Sequence, residues 1–417
     1  MKPEHKRNTC LACGGRLPKE PVMSFSGMPA SAQHIPKREE LGSDRPWDLS
    51  LYACPDCGLL QFDCEPVDYY RDVIRAVGLS ETMRELRRRD YRYLTEELSL
   101  SGGRFIECGC GRGEFLEVLK EFPVSIYGTE ADKANAEAAA RLLNEDQGGK
   151  DQGSREPCHI ENIFPDSCDI SIPGAPFDCF LSFNFLEHQP DPASMLLAMY
   201  NNLRQGGYGL ITVPSFEYIL EQGYYYEFIR DHIANYELGS LRRLIESCGF
   251  ELIDSGRIGI GDTLRAVVRK PLGGPEKLYE QRPIKEKASE DMGRFEKIRI
   301  NKSRIEKSIE QLCERLSLEG RSLSLWGAGH QGFTIASTTR LKDYASCFVD
   351  QAPFKQGRYA PASRLPIIGP SEFLENPADA VLITAPGYIR EIRADIEDLF
   401  SSQGKRAPEI LDILSVI

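Results

Sequence analysis

The sequence has 417 residues, too many for one ordinary core and enough for two or three domains. Apolar residues make up 41% and charged residues 27%, and no apolar run approaches the roughly 18–20 residues that span a bilayer, so a soluble protein with no membrane partner is expected. The formal net charge of −12 argues against a nucleic-acid partner, because gripping a phosphate backbone takes a basic face. The first ten residues, MKPEHKRNTC, have no apolar core after their charges. No secretory signal is expected, and the compartment predicted is cytoplasmic.

Residues 1 to about 66 are rich in Pro, Gly and Cys. Cys10-x2-Cys13 is followed, after forty intervening residues, by Cys54-x2-Cys57, and each pair is trailed by glycine. Thirteen cysteines, an odd number in a chain read as cytosolic, speak for metal binding rather than disulfides. Two such knuckles bring together four thiolates, which suit tetrahedral zinc at about 2.3 Å. With no fifth reactive group beside them, the expected site is closed and structural. The other nine cysteines read as small core residues.

DYYRDVIRAV (68–77) and SETMRELRRRDYRYLTEEL (80–98) read as helices, with Ser80 capping the second. Its Arg84, Arg87, Arg88 and Arg89 read as a solvated face. From 104 to 270 apolar runs alternate with helical stretches. The runs RFIEC, SIYGTE, FDCFLSF, GYGLITV, FELIDSG and LRAVVRK predict strands, and EFLEVLKEF and DPASMLLAMYNNLRQ predict helices. That alternation predicts a mostly parallel sheet covered on both faces. A polar, Gly-rich stretch at 144–156 reads as a surface loop and 271–283 as a linker. A long helix follows, with Phe295, Ile298, Ile305, Ile309, Leu312 and Leu316 on one face, for packing against a domain or a partner subunit. A second α/β unit begins at SLSLWGAGHQG (322–332).

The turn ECGCGRGEF (107–115) carries the most chemistry. Gly109, Gly111 and Gly113 alternate after an apolar strand and open a helix, which permits a tight turn and close approach of a ligand to backbone amides. Glu130 ends the next strand, where a carboxylate accepts hydrogen bonds from ribose hydroxyls. Dinucleotide and S-adenosylmethionine (SAM) sites share that geometry. Glu107 discriminates: an acid there favours the cationic amino-acid end of SAM and repels a pyrophosphate. A dinucleotide fold or a plain glycine turn is the competing reading. Asn184 and Phe185, at the exit of FDCFLSF, are expected at the carboxyl edge of the sheet, where ligands bind in open α/β folds. Glu187 and His188 follow directly.

With these motifs in hand, the chain resembles the three-domain sugar C-methyltransferases, enzymes that methylate carbon in nucleotide-linked deoxysugars. FVDQAPFKQGRYAPASRLPI (348–367) and WGAGHQG (326–332) are similar to that family's C-terminal signatures. The resemblance implies an α/β fold class with a zinc-binding domain at 1–66, a central doubly wound class I SAM methyltransferase fold with a helical lead-in at 67–275, a long helix and linker at 276–320, and a Rossmann-like domain at 321–417. It implies SAM and zinc as cofactors and a nucleotide-linked sugar as the small-molecule partner; the oligomeric state is not implied. The family's Tyr-His-Glu-His string is matched by FIRDHIANY (228–236). His232 stands for its base and Asp231 for its glutamate, while Ile229 and Arg230 replace its tyrosine and first histidine. A second family tyrosine, expected near Val73 and Ile74, is missing, and Tyr224, Tyr225 and Tyr226 are nearby sources of a hydroxyl. The expected catalytic set is therefore His232, Asp231 and His188, and the cofactor set is Glu107, Gly109, Gly111, Gly113, Glu130, Asn184 and Phe185. The metal set is Cys10, Cys13, Cys54 and Cys57.

Three other readings stay open: an O- or N-methyltransferase on the same scaffold, an NAD-binding bifunctional oxidoreductase, and an inactive binding protein. The second arises because Asp350 follows the GAGHQG turn by about twenty residues, as in a dinucleotide fingerprint.

Overall fold

Four consecutive buried residues, Phe105 to Cys108, make Arg104–Cys108 an interior strand of a seven-stranded sheet. A parallel strand buried on both faces reads as a continuous run rather than an alternation, which is why these strands are legible as apolar strings. In the computed structural model, which describes residues 6–71, 80–145, 156–273 and 292–416, the sheet order is Glu251–Ile258, Thr263–Arg269, Leu203–Pro214, Phe177–Phe183, Arg104–Cys108, Ser125–Thr129, His159–Glu161. Thr263–Arg269 runs antiparallel to both its neighbours, and the other pairings are parallel. The chain moves to one side of Arg104–Cys108 with its next strand and to the other side with Phe177–Phe183. Ligands of open α/β sheets bind at the carboxyl ends beside such a reversal.

All six strand runs are strands. The helix expected over 191–205 is shorter, Pro192–Asn202, and Leu203 to Gln205 belong to the next strand. Asp191 caps it, accepting from the Ser194 amide at 3.0 Å. Asn202 ends it: its side-chain amide donates to the carbonyls of Ile170 (2.7 Å) and Ala198 (2.8 Å) and its oxygen accepts from the Ile172 amide at 2.8 Å. Helix Glu81–Arg92 starts on Ser80, whose hydroxyl accepts from the Met83 amide at 3.3 Å. The expected helix at 68–77, the loop at 144–156, the linker at 271–283 and the positions Val73 and Ile74 lie wholly or partly outside the described residues.

The chain packs as two units. One comprises Met1–Glu20, Tyr52–Tyr218 and His232–Glu290 and contains the seven-stranded sheet. The other comprises Pro21–Leu51, Ile219–Asp231 and Asp291–Ile417. Its five-stranded sheet is parallel throughout, in the order Ile367–Ile368, Phe348–Val349, Leu323–Trp326, Ala380–Ile383, Glu409–Asp412. The long helix Glu296–Leu318 buries Ile298, Ile305, Ile309, Leu312 and Leu316. It packs on Tyr225–Glu227, Leu341–Tyr344 and Ile413–Val416 of the same unit, so its apolar stripe is satisfied within the chain.

Candidate active site

The glycine turn leaves strand Arg104–Cys108 at Gly109 (φ +67°), Gly111 (+57°) and Gly113 (+87°). A side chain in that left-handed region costs roughly 1–2 kcal/mol. At Gly109 space forbids one too, because a Cβ would lie 2.9 Å from the Phe185 ring. Glu130 is fully buried, and its carboxylate shapes the turn, accepting from the Gly111 amide at 2.8 Å and the Asp132 amide at 3.0 Å. Asn162 fixes the same corner by donating to the carbonyls of Glu130 (2.9 Å) and Ala131 (2.7 Å). Asn184 sits at the exit of Phe177–Phe183 with φ +48°, exposed. Its amide donates to the Thr212 carbonyl at 2.8 Å, and its side-chain oxygen accepts from the Thr212 hydroxyl at 3.1 Å. A non-glycine residue held left-handed at a sheet edge is strain of the kind that collects at ligand sites.

Glu107, fully buried at the end of Arg104–Cys108, has a neighbour whose place differs from the one expected. Arg87 is not on a solvated face but 1% exposed. Its guanidinium lies 3.9 Å from the Phe183 ring centroid and 4.9 Å from that of Phe115, and donates to Asp90 at 2.7 Å. Burial pulls the Arg87 pKa down, while the charges of Asp90 and Glu107 act against this. Asp90 in turn accepts from Arg265 at 2.7 Å, and Arg265 donates to Asp254 at 2.7 Å. The outer arginines are matched by acids as well: Arg84 by Glu117 at 3.0 Å, and Arg88 by Glu121 at 2.8 Å.

Past Phe185, whose ring lies against Gly109, comes the first of two histidines that meet. His188 ends the short 3-10 helix Leu186–His188, and its ring meets that of His232 edge-on, centroids 4.8 Å apart. Glu187 joins them: it is 2% exposed, and one ligand atom from each of the three lies within 4.8 Å of the others. Burial pushes the Glu187 carboxyl up to about 8. Glu187, adjacent to His188 in the sequence, is not among the expected catalytic residues, and that Glu-His pair is its sequence signal. Tyr236, fully buried, is pushed well above its ordinary pKa by burial first and the Glu187 charge second. The segment carrying His232 is anchored on both sides. The Phe62 amide donates to the Ile233 carbonyl at 3.0 Å, and strand Leu60–Phe62 pairs antiparallel with Ala234–Asn235. On the other side the Phe216 amide donates to the Tyr236 carbonyl at 2.9 Å.

The cysteine quartet forms two knuckles. The Cys10 and Cys54 amides donate to the carbonyls of Gly15 (2.7 Å) and Leu59 (2.9 Å), and Gly14 and Gly58 turn the chain at φ +70° and +74°. Cys10 and Cys57 sulfurs are 3.5 Å apart, and Cys13 and Cys54 sulfurs 3.6 Å. Four thiolates around one zinc at about 2.3 Å would stand roughly 3.8 Å from each other, so the donor set fits a tetrahedral ion. Arg243 donates to the Cys57 carbonyl at 2.8 Å.

The replaced residues of the 228–236 string have packing roles. Ile229 is buried. Arg230 stacks on Trp47, 3.9 Å from its centroid, and donates to the Ala30 carbonyl at 3.2 Å. Asp231, 1% exposed, accepts from the Ala32 amide at 2.8 Å. Tyr225 and Tyr226 are fully buried, and the Tyr225 hydroxyl meets Thr338 at 3.1 Å. In the C-terminal sheet Asp350 accepts from the amides of Ala328 and Ala352, each at 2.9 Å, and pairs with Lys355 at 3.0 Å. The acid of the dinucleotide-like fingerprint is thus committed to its own turn. Gly332 serves packing: a Cβ there would lie 2.6 Å from the Thr384 hydroxyl.

The sequence matches two family models, a methyltransferase domain over residues 83–255 and a C-methyltransferase C-terminal domain over residues 279–408. The C-methyltransferase NovU of Streptomyces niveus is 23% identical over 401 residues, covering 92% of this chain and 91% of that protein. The ubiquinone biosynthesis O-methyltransferase of Pseudomonas entomophila (strain L48) is 28% identical over 115 residues, 28% of this chain and 46% of its own length. Among solved structures, the magnesium protoporphyrin IX methyltransferase (ChlM) from Synechocystis PCC 6803 with bound SAM aligns at 12% identity with a TM-score of 0.34, over 45% of this chain and 79% of that one. The chain is therefore a SAM-dependent methyltransferase, built of a methyltransferase domain followed by a C-methyltransferase C-terminal domain.

Proposed function

We propose that the chain methylates a carbon next to a ketone in a nucleotide-linked sugar, with His232 as general base. The observation that carries this reading is the meeting of His188, His232 and buried Glu187, just past Phe185, whose ring lies against Gly109. A relative named a C-methyltransferase that spans nearly the whole chain supports carbon as the acceptor.

SAM, when bound, supplies an electrophilic methyl group. Glu107 would hold its ammonium end and Glu130 its ribose hydroxyls, while Gly109, Gly111 and Gly113 would leave room for it, with Asn184 and Phe185 at the sheet edge. His232 takes the proton from the acceptor carbon, since an imidazole titrates near working pH. The negative charge left on the substrate collects on the ketone oxygen, and His188 donates a hydrogen bond there. Asp231, which precedes His232, is bonded to the Ala32 amide. Fixing base and substrate in one geometry is worth effective molarities of roughly 10⁵–10⁸ M. We assign zinc to Cys10, Cys13, Cys54 and Cys57 as a structural ion, and read the C-terminal parallel sheet as a Rossmann-like domain.

The test uses SAM with a labelled methyl group and a panel of nucleotide-linked keto and hydroxy sugars in heavy water, with products read by mass spectrometry. Methyl on carbon, with exchange of the neighbouring proton, is expected. Methyl on oxygen without exchange would replace the carbon reading with an O-methyltransferase one. His232→Ala is expected to abolish turnover while SAM affinity stays near normal.

A further inference from the structure

Gln61 is fully buried, yet it is neither a cysteine ligand nor a member of the histidine cluster. It lies four residues after Cys57, in strand Leu60–Phe62. Both ends of its side chain are used. The oxygen accepts from the Leu11 amide at 2.8 Å, and the nitrogen donates to the Thr9 carbonyl at 3.2 Å. Those are the two residues flanking Cys10. Burying an amide is costly unless each polar end is satisfied, and here both are spent on the first knuckle.

The backbone of Gln61 faces the other way. It pairs with Ala234, Leu60 pairs with Asn235, and the Phe62 amide donates to the Ile233 carbonyl at 3.0 Å. His232 immediately precedes this ladder, and the Asn235 side chain donates to the His232 carbonyl at 3.4 Å. A continuous bonded path therefore runs from the Cys10 knuckle, through the Gln61 side chain, across a two-residue ladder, to His232.

We propose that Gln61 is a positioning residue for His232, and that the cysteine knuckles set the place of this histidine through it. The consequence for turnover rests on the reading of His232 as base; the mechanical link does not. A short ladder of two pairs has little register strength of its own, so the cross-tie to the knuckle fixes where the ladder sits. A misplacement of about 1 Å at a catalytic group costs on the order of 100-fold in rate.

The test uses the full chain with Gln61→Met, which fills similar volume without hydrogen bonds, and Gln61→Glu, which keeps the acceptor for Leu11 and loses the donor to Thr9. Histidine-selective ¹⁵N spectra report the six histidines, with the His232 signal identified by its loss in His232→Ala. Zinc per chain, SAM affinity, and kcat and KM on the keto-sugar acceptor of the panel are measured alongside. Gln61→Met is expected to move the His232 signal and leave that of His159 in place, and to lower kcat about 10- to 100-fold. KM and SAM affinity should stay within twofold, and Gln61→Glu should fall between Met and wild type. An unmoved His232 signal with kcat within twofold of wild type overturns the proposal, as does a kcat loss matched by an equal loss of SAM affinity. If Gln61→Met does not fold, Gln61→Glu is judged by the same criteria. A moved signal in a chain whose His232→Ala variant still turns over keeps the link and discards the base.

Discussion

Glu187→Gln isolates the most perturbed carboxyl in the histidine cluster. Burial raises the Glu187 pKa from 4.5 to about 8, so between those values the folded chain keeps a proton that the unfolded chain releases. Stability therefore falls as pH rises through that window and levels off above it. At 1.36 kcal/mol per unit, the interval of about 3.5 units sets a ceiling of roughly 5 kcal/mol. The groups facing Glu187 are His188, His232 and Tyr236, and protonation of either imidazole would trim that figure. Glutamine mimics the neutral carboxyl and cannot ionise. The variant should match wild type near pH 5 and exceed it by about 2–5 kcal/mol near pH 9. Paired urea titrations at pH 5, 7 and 9 read the difference, in which the other titrating groups cancel. A gap between variant and wild type that stays constant from pH 5 to 9 would falsify the assignment of a neutral buried carboxyl.

Gly109→Ala places a side chain at φ +67° and 2.9 Å from the Phe185 ring. Calorimetric SAM affinity should fall at least tenfold, the equivalent of about 1.4 kcal/mol; unchanged affinity would remove the turn from the cofactor site. Asp90→Asn withdraws the charge facing both Arg87 and Arg265. Leaving a buried guanidinium without its partner costs about 3–5 kcal/mol, to be read as a drop in the urea midpoint. Cys13→Ser should lower bound metal from one zinc per chain and lower the melting temperature, measured by atomic absorption and calorimetry. Full metal occupancy in that variant would exclude the four-sulfur site.

The strands were legible because parallel strands buried on both faces leave short apolar strings, and the glycine turn because positive φ at alternate positions leaves a residue-level trace. The two knuckles were legible from spacing alone. What stayed hidden depends on tertiary partners. Arg87 sits in a run of arginines on a helix, and nothing local distinguishes the one that stacks on Phe183 from those that pair with Glu117 and Glu121. Asn202 reads as an ordinary helical residue until the loop at Ile170 and Ile172 supplies the partners that end the helix. Interleaving of the two units is likewise invisible, since the chain leaves the first unit at Pro21 and again at Ile219 without any change in composition.

The altered 228–236 string takes on a physical meaning once partners are known. Of its four differing or neighbouring residues, Ile229 is core, Arg230 lies on Trp47 and Asp231 holds the Ala32 amide. Only His232 turns toward another titratable ring. An acid close to that ring is still present, but it is Glu187, forty-five positions earlier in the chain. A carboxyl on Glu187 sits on the rigid exit of a central strand rather than in the loop with the histidine. Its distance to His232 is therefore set by the sheet and by the Leu60–Phe62 ladder, two elements that a substitution in the 228–231 loop leaves untouched. That arrangement lets the loop residues vary while the histidine cluster keeps its geometry, and it predicts that Asp231→Asn lowers turnover far less than Glu187→Ala in matched kinetics. The reverse order would return the acid's role to Asp231.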